Sequence, residues 1–260
     1  MATTRKMKFN KYGWRADKPD HRDLKFSAPM HLVGNLPTKV DLRAGCPVPY
    51  DQGELGSCTG QAIAGNVQYD LIKQNPAKAF QPSALFIYYN ERVLENSVNE
   101  DAGAEIRSGI KSLVRWGICP EQYCPYVPSK FKTKPSKLAY SNALPHRIDK
   151  YMRIRQVEND VKANLADGYP FIFGISVYES FESDEVAKTG IVQMPSMREK
   201  ALGGHAVLGV GYDDIEKRFL VRNSWGFKWG MGGYFTLPYE YVLNDDFSAD
   251  LWTIKYVPNP

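Results

Sequence analysis

The sequence predicts an α+β protein in which a helical lobe and a β lobe enclose a cleft. Up to about residue 167, apolar residues recur mostly at helical spacing. Beyond that point, short β-branched and aromatic runs are separated by glycine, which is typical of strands. A length of 260 residues fits one domain or two lobes that share an interface.

The first 36 residues form the least regular part of the chain. They are polar and basic, prolines interrupt them, and they show little periodicity. We therefore expect an N-terminal arm over residues 1–36, followed by one domain over residues 37–260. Within that domain we expect the helical lobe at about 50–156 and the β lobe at about 157–260.

Three helices are predicted in the first lobe. The first begins at Cys58, carries apolar residues at four-residue spacing and ends at Asn75-Pro76. The second begins at Pro82-Ser83, and the third begins near Asp101 and ends at Gly117. Residues 119–148 are rich in proline and lysine and predict a solvated loop.

A short helix over 157–167 precedes the strand half. Four runs read as strands, and each is bounded by glycine, proline or charged residues: "PFIFGISVY", "GGHAVLGVGYD", "KRFLVRNSWG" and "GGYFTLP". Because each run is short and rich in aromatic or β-branched residues, we expect these segments to form a sheet.

Composition argues against several kinds of partner. A net charge of +4 is small for a nucleic-acid binder, and no apolar run approaches the ~18 residues of a membrane span. No apolar signal-peptide segment is visible near the start, which leaves the cytoplasm or export by another route as expectations. We expect no nucleic acid, membrane or cofactor among the partners.

The four cysteines are too few for a disulfide scaffold in a chain of this length. Cys119 and Cys124 lie close in sequence, but a zinc site needs further ligands and only Cys46 offers another spare thiol. We expect no metal. A disulfide among these three residues and reduced structural thiols both remain open.

The fourth cysteine, Cys58, is a candidate nucleophile. A thiol attacks as a thiolate, and the positive end of a helix or a nearby imidazolium lowers its pKa. Cys58 opens the first predicted helix after the glycine-containing turn "DQGELGS". A buried structural thiol is the alternative, since free cysteine is among the most buried residue types.

Of the four histidines, His205 is the best candidate for the base. It lies near the start of a predicted strand, and two glycines precede it. A catalytic histidine needs its second nitrogen held, and Asn223 in "RNSWG" can lie beside it if the two strands pair antiparallel. Trp225 could shield that hydrogen bond, and Gln52 with the Cys58 amide could stabilise an oxyanion.

Three segments together resemble the papain-like cysteine peptidases: "DQGELGSCTGQAIA", "GGHAVLGVGYD" and "VRNSWGFKWGMGGYFTL". The resemblance extends from about Leu36 to about Leu237. It implies the papain-like two-lobe fold, a helical left lobe and an antiparallel β-barrel-like right lobe with the active site between them. It also implies that Cys58 is the nucleophile, His205 the base and acid, Asn223 its orienting partner and Gln52 part of the oxyanion hole.

The chain also departs from the usual motifs. Leu55 stands where secreted members have a cysteine, and Thr59 replaces the usual aromatic residue after the nucleophile, which predicts looser packing there. The Gly-Gly pair that contacts the substrate backbone is present as Ala102-Gly103. These motifs are more similar to those of bacterial, archaeal or viral members of the family than to those of lysosomal members.

The substrate is expected to be a peptide or protein. The residues expected to bind it are Gly103, Ala104, Gly203, Gly204 and Trp225. We further expect Gly174 and Glu105 to line the main specificity pocket, where Glu105 would favour a basic side chain if it faces inward. Two other functions remain open: a different Cys-His enzyme such as an amidase or acyltransferase, and a binding protein without turnover.

The arm itself is the last expected partner. The stretch "FNKYGWRADKPDHRDLKF" has aromatic and polar residues without periodicity, which suits docking on a surface. We expect residues from about Lys8 to Gly34 to lie in or across the active-site cleft and block it, as a short inhibitory propeptide, with Tyr12, Trp14 and Phe26 as anchors. A disordered tail or a permanent strap is the alternative.

Overall fold

The computed structural model describes residues 12–255, and its helices agree well with the sequence pattern. The chain contains seven α-helices in these residues: α1 Cys58–Gln74, α2 Ala84–Leu94, α3 Ile106–Trp116, α4 Lys137–Ala143, α5 Glu158–Ala166, α6 Asp184–Thr189 and α7 Tyr239–Leu243. Ser83 caps α2 by accepting a hydrogen bond from the N–H of Phe86, as expected of a helix that follows Pro-Ser.

Two helical predictions need correction. Helix α3 starts at Ile106, several residues after the predicted start near Asp101, because the preceding residues are extended and Ala104 forms a β-bridge instead. The segment 119–148 is not wholly loop: it includes α4, which Ser136 caps. Its two buried alanines, Ala139 and Ala143, pack under Phe86, an apolar signal too short to stand out among prolines and lysines.

The strands form one antiparallel sheet. Their bounds are β1 Lys39–Asp41, β2 Tyr151–Arg153, β3 Phe171–Tyr178, β4 Ala201–Asp213, β5 Arg218–Arg222, β6 Tyr234–Pro238 and β7 Ser248–Ile254. The strand order is β2-β7-β3-β4-β5-β6, and β1 pairs with β4. The four predicted strands are all present, and the α+β fold class is confirmed. Among the described residues the sheet has two open ends and does not close into a barrel.

Alternation along the strands divides the interior into two cores. Ala206, Leu208 and Val210 of β4 face the helices, where they pack in one cluster with residues of α1, α2 and α3. Neighbouring Val207 belongs to the second cluster, on the other face of the sheet. Because side chains of a strand point alternately to opposite faces, β4 separates the helical lobe from the β-lobe core.

The described part of the arm follows the body instead of standing free. Residues 12–36 are irregular apart from a single 3-10 turn at Met30–Leu32. Phe26 is buried in the β-lobe core, and its N–H donates to Arg153 O. Phe26 therefore anchors the arm to the sheet and not in the groove described below, and residues 8–11 of the predicted segment lie outside the described residues.

Candidate active site

Cys58 is the first residue of α1, at the end of a turn that other elements hold in place. The N–H of Gly56 donates to the carboxylate of Asp101, and Ser57 Oγ lies 2.6 Å from the hydroxyl of Tyr126. That hydroxyl in turn donates to Gln52 O, 2.9 Å away. Since α1 begins at Cys58, the N–H of Cys58 has no partner within the helix and points out of its positive end.

The thiol of Cys58 is fully buried. Burial raises the pKa of Cys58 to about 11, while hydrogen bonds from the backbone N–H groups of Ala206 and Gly13 act in the opposite direction. Ala206 is the residue after His205, so the sulfur lies at the end of β4 that carries the histidine. Gly13 belongs to the arm.

The ring of His205 is held on one side by Asn223. Its Nε2 lies 2.8 Å from Oδ1 of Asn223, and Trp225 stacks on the ring with centroids 5.1 Å apart. Nδ1 of His205 is buried and has no hydrogen-bond partner among the described residues. Burial lowers the pKa of His205 to about 4, and the hydrogen bond with Asn223 opposes this shift.

Gln52 is buried and ties the turn to the segment after β5. Its Nε2 donates to Leu55 O at 2.9 Å, its Oε1 accepts from Ser224 Oγ at 2.6 Å, and its backbone N–H donates to Ser224 O. A primary amide has two N–H donors. The second N–H of Gln52 Nε2 remains for a ligand. The orientation of the Gln52 amide is fixed because its Oε1 accepts from Ser224 Oγ.

Thr59 does not leave loose packing behind the cysteine, contrary to the expectation. It is completely buried, and its hydroxyl donates to Glu91 of α2. Burial raises the pKa of Glu91 well above its ordinary value. A hydroxyl and a buried carboxyl thus occupy the space for which the sequence pattern suggested an aromatic side chain.

The arm backbone runs through a groove between the lobes. Ala104 donates its N–H to Gly13 O at 2.7 Å and accepts from the N–H of Arg15 at 3.0 Å, which forms a parallel bridge with Trp14. On the other wall, the N–H of Trp14 donates to Gly204 O at 2.9 Å. A Cβ on Gly13 would lie 1.9 Å from Gly56 O, so only glycine fits there.

Two aromatic side chains of the arm fill the groove beside the histidine. The ring of Tyr12 meets His205 edge-on with centroids 6.1 Å apart, and its hydroxyl donates to Glu182. The indole of Trp14 lies where side chains at Gly174 and Gly204 would stand. Its Nε1 donates to Asp250 Oδ2 at 3.2 Å.

All five residues expected to bind substrate contact this arm segment. Ala104 and Gly204 make the backbone bonds just described, and Gly103 leaves room for Gly13 O. Gly203 leaves room for the Tyr12 side chain, and Trp225 contacts the Tyr12 ring at 6.4 Å. The backbone N–H of Glu105, just before α3, donates to the carboxylate of Glu95.

A cluster of charges holds the next arm residues. Asp17 and Asp23 of the arm meet Arg107 of α3 and Arg153 of β2, while Asp250 of β7 completes the cluster. Sequence reasoning missed these five residues, because they come from four distant segments and belong to no motif. The only signal was the density of aspartates in "RADKPDHRD".

The remaining cysteines are unbridged. Cys46, Cys119 and Cys124 are free thiols, as is Cys58. Within residues 12–255, no three His, Cys, Asp or Glu side chains are grouped as metal ligands would be. None of the helices in this range has the length and apolarity to cross a membrane.

Comparison with known proteins decides the family. The sequence model of the family "Papain family cysteine protease" matches residues 36–244 of this chain. The chain belongs to this family. Papain-family membership makes it a thiol-dependent peptidase, a hydrolase, as the sequence motifs predicted.

Two papain-family relatives are similar over nearly the whole chain. An uncharacterized peptidase C1-like protein of Acanthamoeba polyphaga mimivirus is 43% identical over 273 aligned positions, which cover 96% of this chain and 88% of the viral one. The crystal structure of xylellain, a cysteine protease from Xylella fastidiosa, superposes with a TM-score of 0.90 at 40% identity, covering 98% of this chain and 100% of the other. A viral and a bacterial relative agree with the predicted type of family member.

More distant relatives share less of their length. Procathepsin L of Rattus norvegicus is 26% identical over 80% of this chain, but the match spans only 62% of the rat protein. A digestive procathepsin L 3 of Tenebrio molitor has a TM-score of 0.70 at 19% identity, covering 96% of this chain and 76% of that one. This last similarity supports the fold alone.

Proposed function

We propose that this papain-family peptidase is an endopeptidase that cleaves peptide bonds through an acyl-thioester on Cys58. The observation that carries the proposal is the hydrogen bond between Asn223 and His205. An amide oxygen accepts at Nε2, so the neutral ring carries its proton there and keeps Nδ1 as a base. Nδ1 is buried and unpartnered among the described residues, ready to accept the thiol proton.

In the proposed reaction, Nδ1 of His205 takes the proton of Cys58 while Sγ attacks the scissile carbonyl carbon. The oxygen that becomes negative accepts hydrogen bonds from Nε2 of Gln52 and the N–H of Cys58. The tetrahedral intermediate collapses as His205 gives its proton to the leaving amine. Water, deprotonated by His205, then hydrolyses the thioester, which releases the carboxylic acid and restores the thiol.

We also propose that the arm inhibits the peptidase by occupying the groove. The arm group that faces Sγ is the N–H of Gly13, and a nitrogen donor offers no carbon for attack. Tyr12 and Trp14 fill the space beside His205 and over Gly174. A substrate therefore has to displace residues 12–15 before its carbonyl can reach the cysteine.

One substitution in the full-length chain tests both proposals. Gly13→Val adds a side chain where Gly56 O leaves no room, so the arm should leave the groove while the body is unchanged. Ala16→Val is the matched control, because Ala16 is an exposed arm residue. Turnover of a set of fluorogenic peptides should rise about tenfold or more for Gly13→Val and stay at the original level for Ala16→Val.

Two results would separate the claims. Equal turnover by the original chain and Gly13→Val would refute inhibition by the arm and leave the peptidase proposal intact. If Gly13→Val with Cys58→Ala still cleaves peptides at the Gly13→Val rate, Cys58 is not the nucleophile. Labelling by iodoacetamide, located by mass spectrometry, identifies the reactive thiol independently of turnover.

A further inference from the structure

The carboxylate of Asp17 occupies a site that the body of the protein builds. Its Oδ1 accepts from the backbone N–H of Arg107 at 3.0 Å, and its Oδ2 accepts from the indole N–H of Trp252 at 2.8 Å. Arg153 Nη1 lies 3.4 Å from the same Oδ2. Trp252 is fully buried, so its N–H has no access to solvent. Three donors from three separate elements converge on one carboxylate.

The position of this site on α3 adds to its preference for an anion. Arg107 is the second residue of an 11-residue helix, and the N–H groups of a first turn lack partners inside their helix. The partial positive charge of the helix end favours a negative group there. Backbone, indole and guanidinium donors therefore act in the same direction.

The arm also satisfies the side chain of Arg107. Its Nε and Nη2 donate to the two oxygens of Asp23, and its Nη1 donates to Lys18 O at 2.6 Å. Only 6% of the Arg107 side chain is exposed. This exposed fraction applies with the arm in place. When the arm leaves, the guanidinium of Arg107 loses these three bonds and becomes available to another acceptor, and a carboxylate forms stronger hydrogen bonds with it than a neutral group does.

The charge balance changes sign when the arm leaves. With the arm in place, Asp17, Asp23 and Asp250 outnumber Arg107 and Arg153, which agrees with the raised pKa of Asp17, about 6, caused by burial and by Asp250. Without the arm, the two arginines face Asp250 alone. The emptied site then carries an excess positive charge that one carboxylate neutralises.

We propose that Arg107, Arg153 and Trp252 form a carboxylate-binding subsite that takes an acidic side chain of the substrate once the arm has left the groove. The subsite continues the groove, because Asp17 follows closely on the residues that bond to Ala104 and Gly204. The inference rests on the proposed function, since it needs a peptide in place of the arm. It assigns a specificity that the catalytic residues do not determine.

The test uses full-length Gly13→Val, which frees the groove, and pairs of fluorogenic peptides that differ only in Asp against Asn. Moving the pair through every position of the peptide makes the result independent of chain direction. At one position, kcat/KM should be about tenfold or more higher for the Asp peptide, the size expected for hydrogen bonds to a charged group. Adding Trp252→Phe removes one donor and keeps an aromatic ring, so the Asp-to-Asn ratio should fall.

Arg155→Gln is the matched control for Arg153→Gln, because Arg155 pairs with Asp160 away from the subsite. The ratio should fall for Arg153→Gln and persist for Arg155→Gln. A ratio near one at every position, with Asn peptides still cleaved, would overturn the subsite and leave the proposed function standing.

A binding measurement decides the case in which no peptide is cleaved. Two synthetic peptides of residues 12–24 both carry Asp23→Asn, so that Asp23 does not compete with Asp17 for Arg107 and Arg153. One keeps Asp17 and the other has Asp17→Asn, and each is titrated into full-length Gly13→Val carrying Cys58→Ala, with fluorescence anisotropy as the readout. At least tenfold weaker binding of the Asp17→Asn peptide supports the subsite, and equal binding refutes it. Circular dichroism of each variant verifies that the body is folded.

Discussion

Oδ1 of Asn223 accepts two hydrogen bonds, one from His205 Nε2 at 2.8 Å and one from the N–H of Ser224 at 2.8 Å. A backbone N–H can donate only to the oxygen of the amide, so this second bond fixes which end of Asn223 faces the ring. The ring must then donate from Nε2, and Nδ1 is left as the acceptor. The orientation of the proposed base thus depends on the backbone after β5.

Asn223→Ala should lower kcat in the Gly13→Val background by about tenfold or more, because His205 loses the acceptor that selects its tautomer. KM should change little, since the hydrogen bonds of Asn223 in the described residues go to His205, Ser224 and Gly233 and not to the arm. Steady-state kinetics over a range of pH measure both constants. Asn159→Ala, at an exposed position on α5, should leave kcat unchanged, and an equal fall there would contradict the explanation.

Gln52→Glu tests the proposed oxyanion donor with little change of shape. The carboxylate can still accept from Ser224 Oγ but has no N–H for the substrate oxygen. In the Gly13→Val background kcat should fall on the order of a hundredfold, the usual loss for one such donor. Peptide kinetics and the melting temperature are measured together; an unchanged kcat in a folded variant would exclude Gln52 from the oxyanion hole.

The reactivity of Cys58 should depend on the position of the arm. With the arm in the groove, burial holds the pKa of the thiol at about 11, so little thiolate is present at pH 7. Alkylation by iodoacetamide should be slow at neutral pH and rise only under alkaline conditions. Gly13→Val should move the pH profile of alkylation to lower values, and coinciding profiles would show that the arm does not protect the thiol.

Asp17 should make arm docking weaker as the pH rises. Burial and the Asp250 carboxylate raise its pKa to about 6 in the docked arm, despite Arg107 and the Trp252 N–H, with Arg153 and Asp23 also facing the cluster. Between about pH 4 and 6 the docked state therefore holds more protons than the free arm, and raising the pH favours release. The ratio of original to Gly13→Val activity should rise over this window.

Asp17→Asn is the control for this pH dependence, because it removes the titrating group. With that change, the activity ratio should be flat from pH 4 to 6. A ratio that falls with rising pH in the original chain would assign the response to another group.

The buried pair behind the cysteine should contribute to stability. Thr59→Val removes the hydroxyl that donates to Glu91 Oε1, and Oε2 of Glu91 already lacks a partner among the described residues. A buried carboxyl without a hydrogen bond should lower the free energy of unfolding by about 1–3 kcal/mol. Urea unfolding measures the change, and Thr133→Val, at an exposed turn, should alter it by less than about 0.5 kcal/mol.

The sequence predicted the parts of the fold that are periodic or that carry a family motif. Helix α1 was located by the spacing of Ile63, Val67 and Leu71, and the four predicted strands by their alternation and glycines. The three-residue strands β1 and β2 were missed because they are too short for a pattern. Strand β7 was missed because the adjacent apolar residues Leu251 and Trp252 interrupt the alternation of polar and apolar residues in "SADLWTI".

The candidate site was predictable only where one short segment holds the relevant residue. Such a segment holds each of Cys58, His205, Asn223 and Gln52. In the structure His205 contacts Asn223, its neighbour Ala206 donates to Cys58, and Gln52 bonds to Ser224 beside Asn223. The hydrogen-bond partners of Asp17 come from α3, β2 and β7, so no local sequence pattern predicts them. The replacement of the usual aromatic residue by Thr59 was visible, but its partner Glu91 on another helix was not.

The burial of Phe26 has a kinetic consequence. Because this residue packs in the β-lobe core, the arm remains attached near the groove even when residues 12–17 come off. A tethered segment rebinds at an effective concentration in the millimolar range for a short linker, whatever the amount of protein in solution. Dilution alone should consequently not relieve the proposed inhibition, whereas severing the backbone between Asp17 and Phe26 should relieve it permanently.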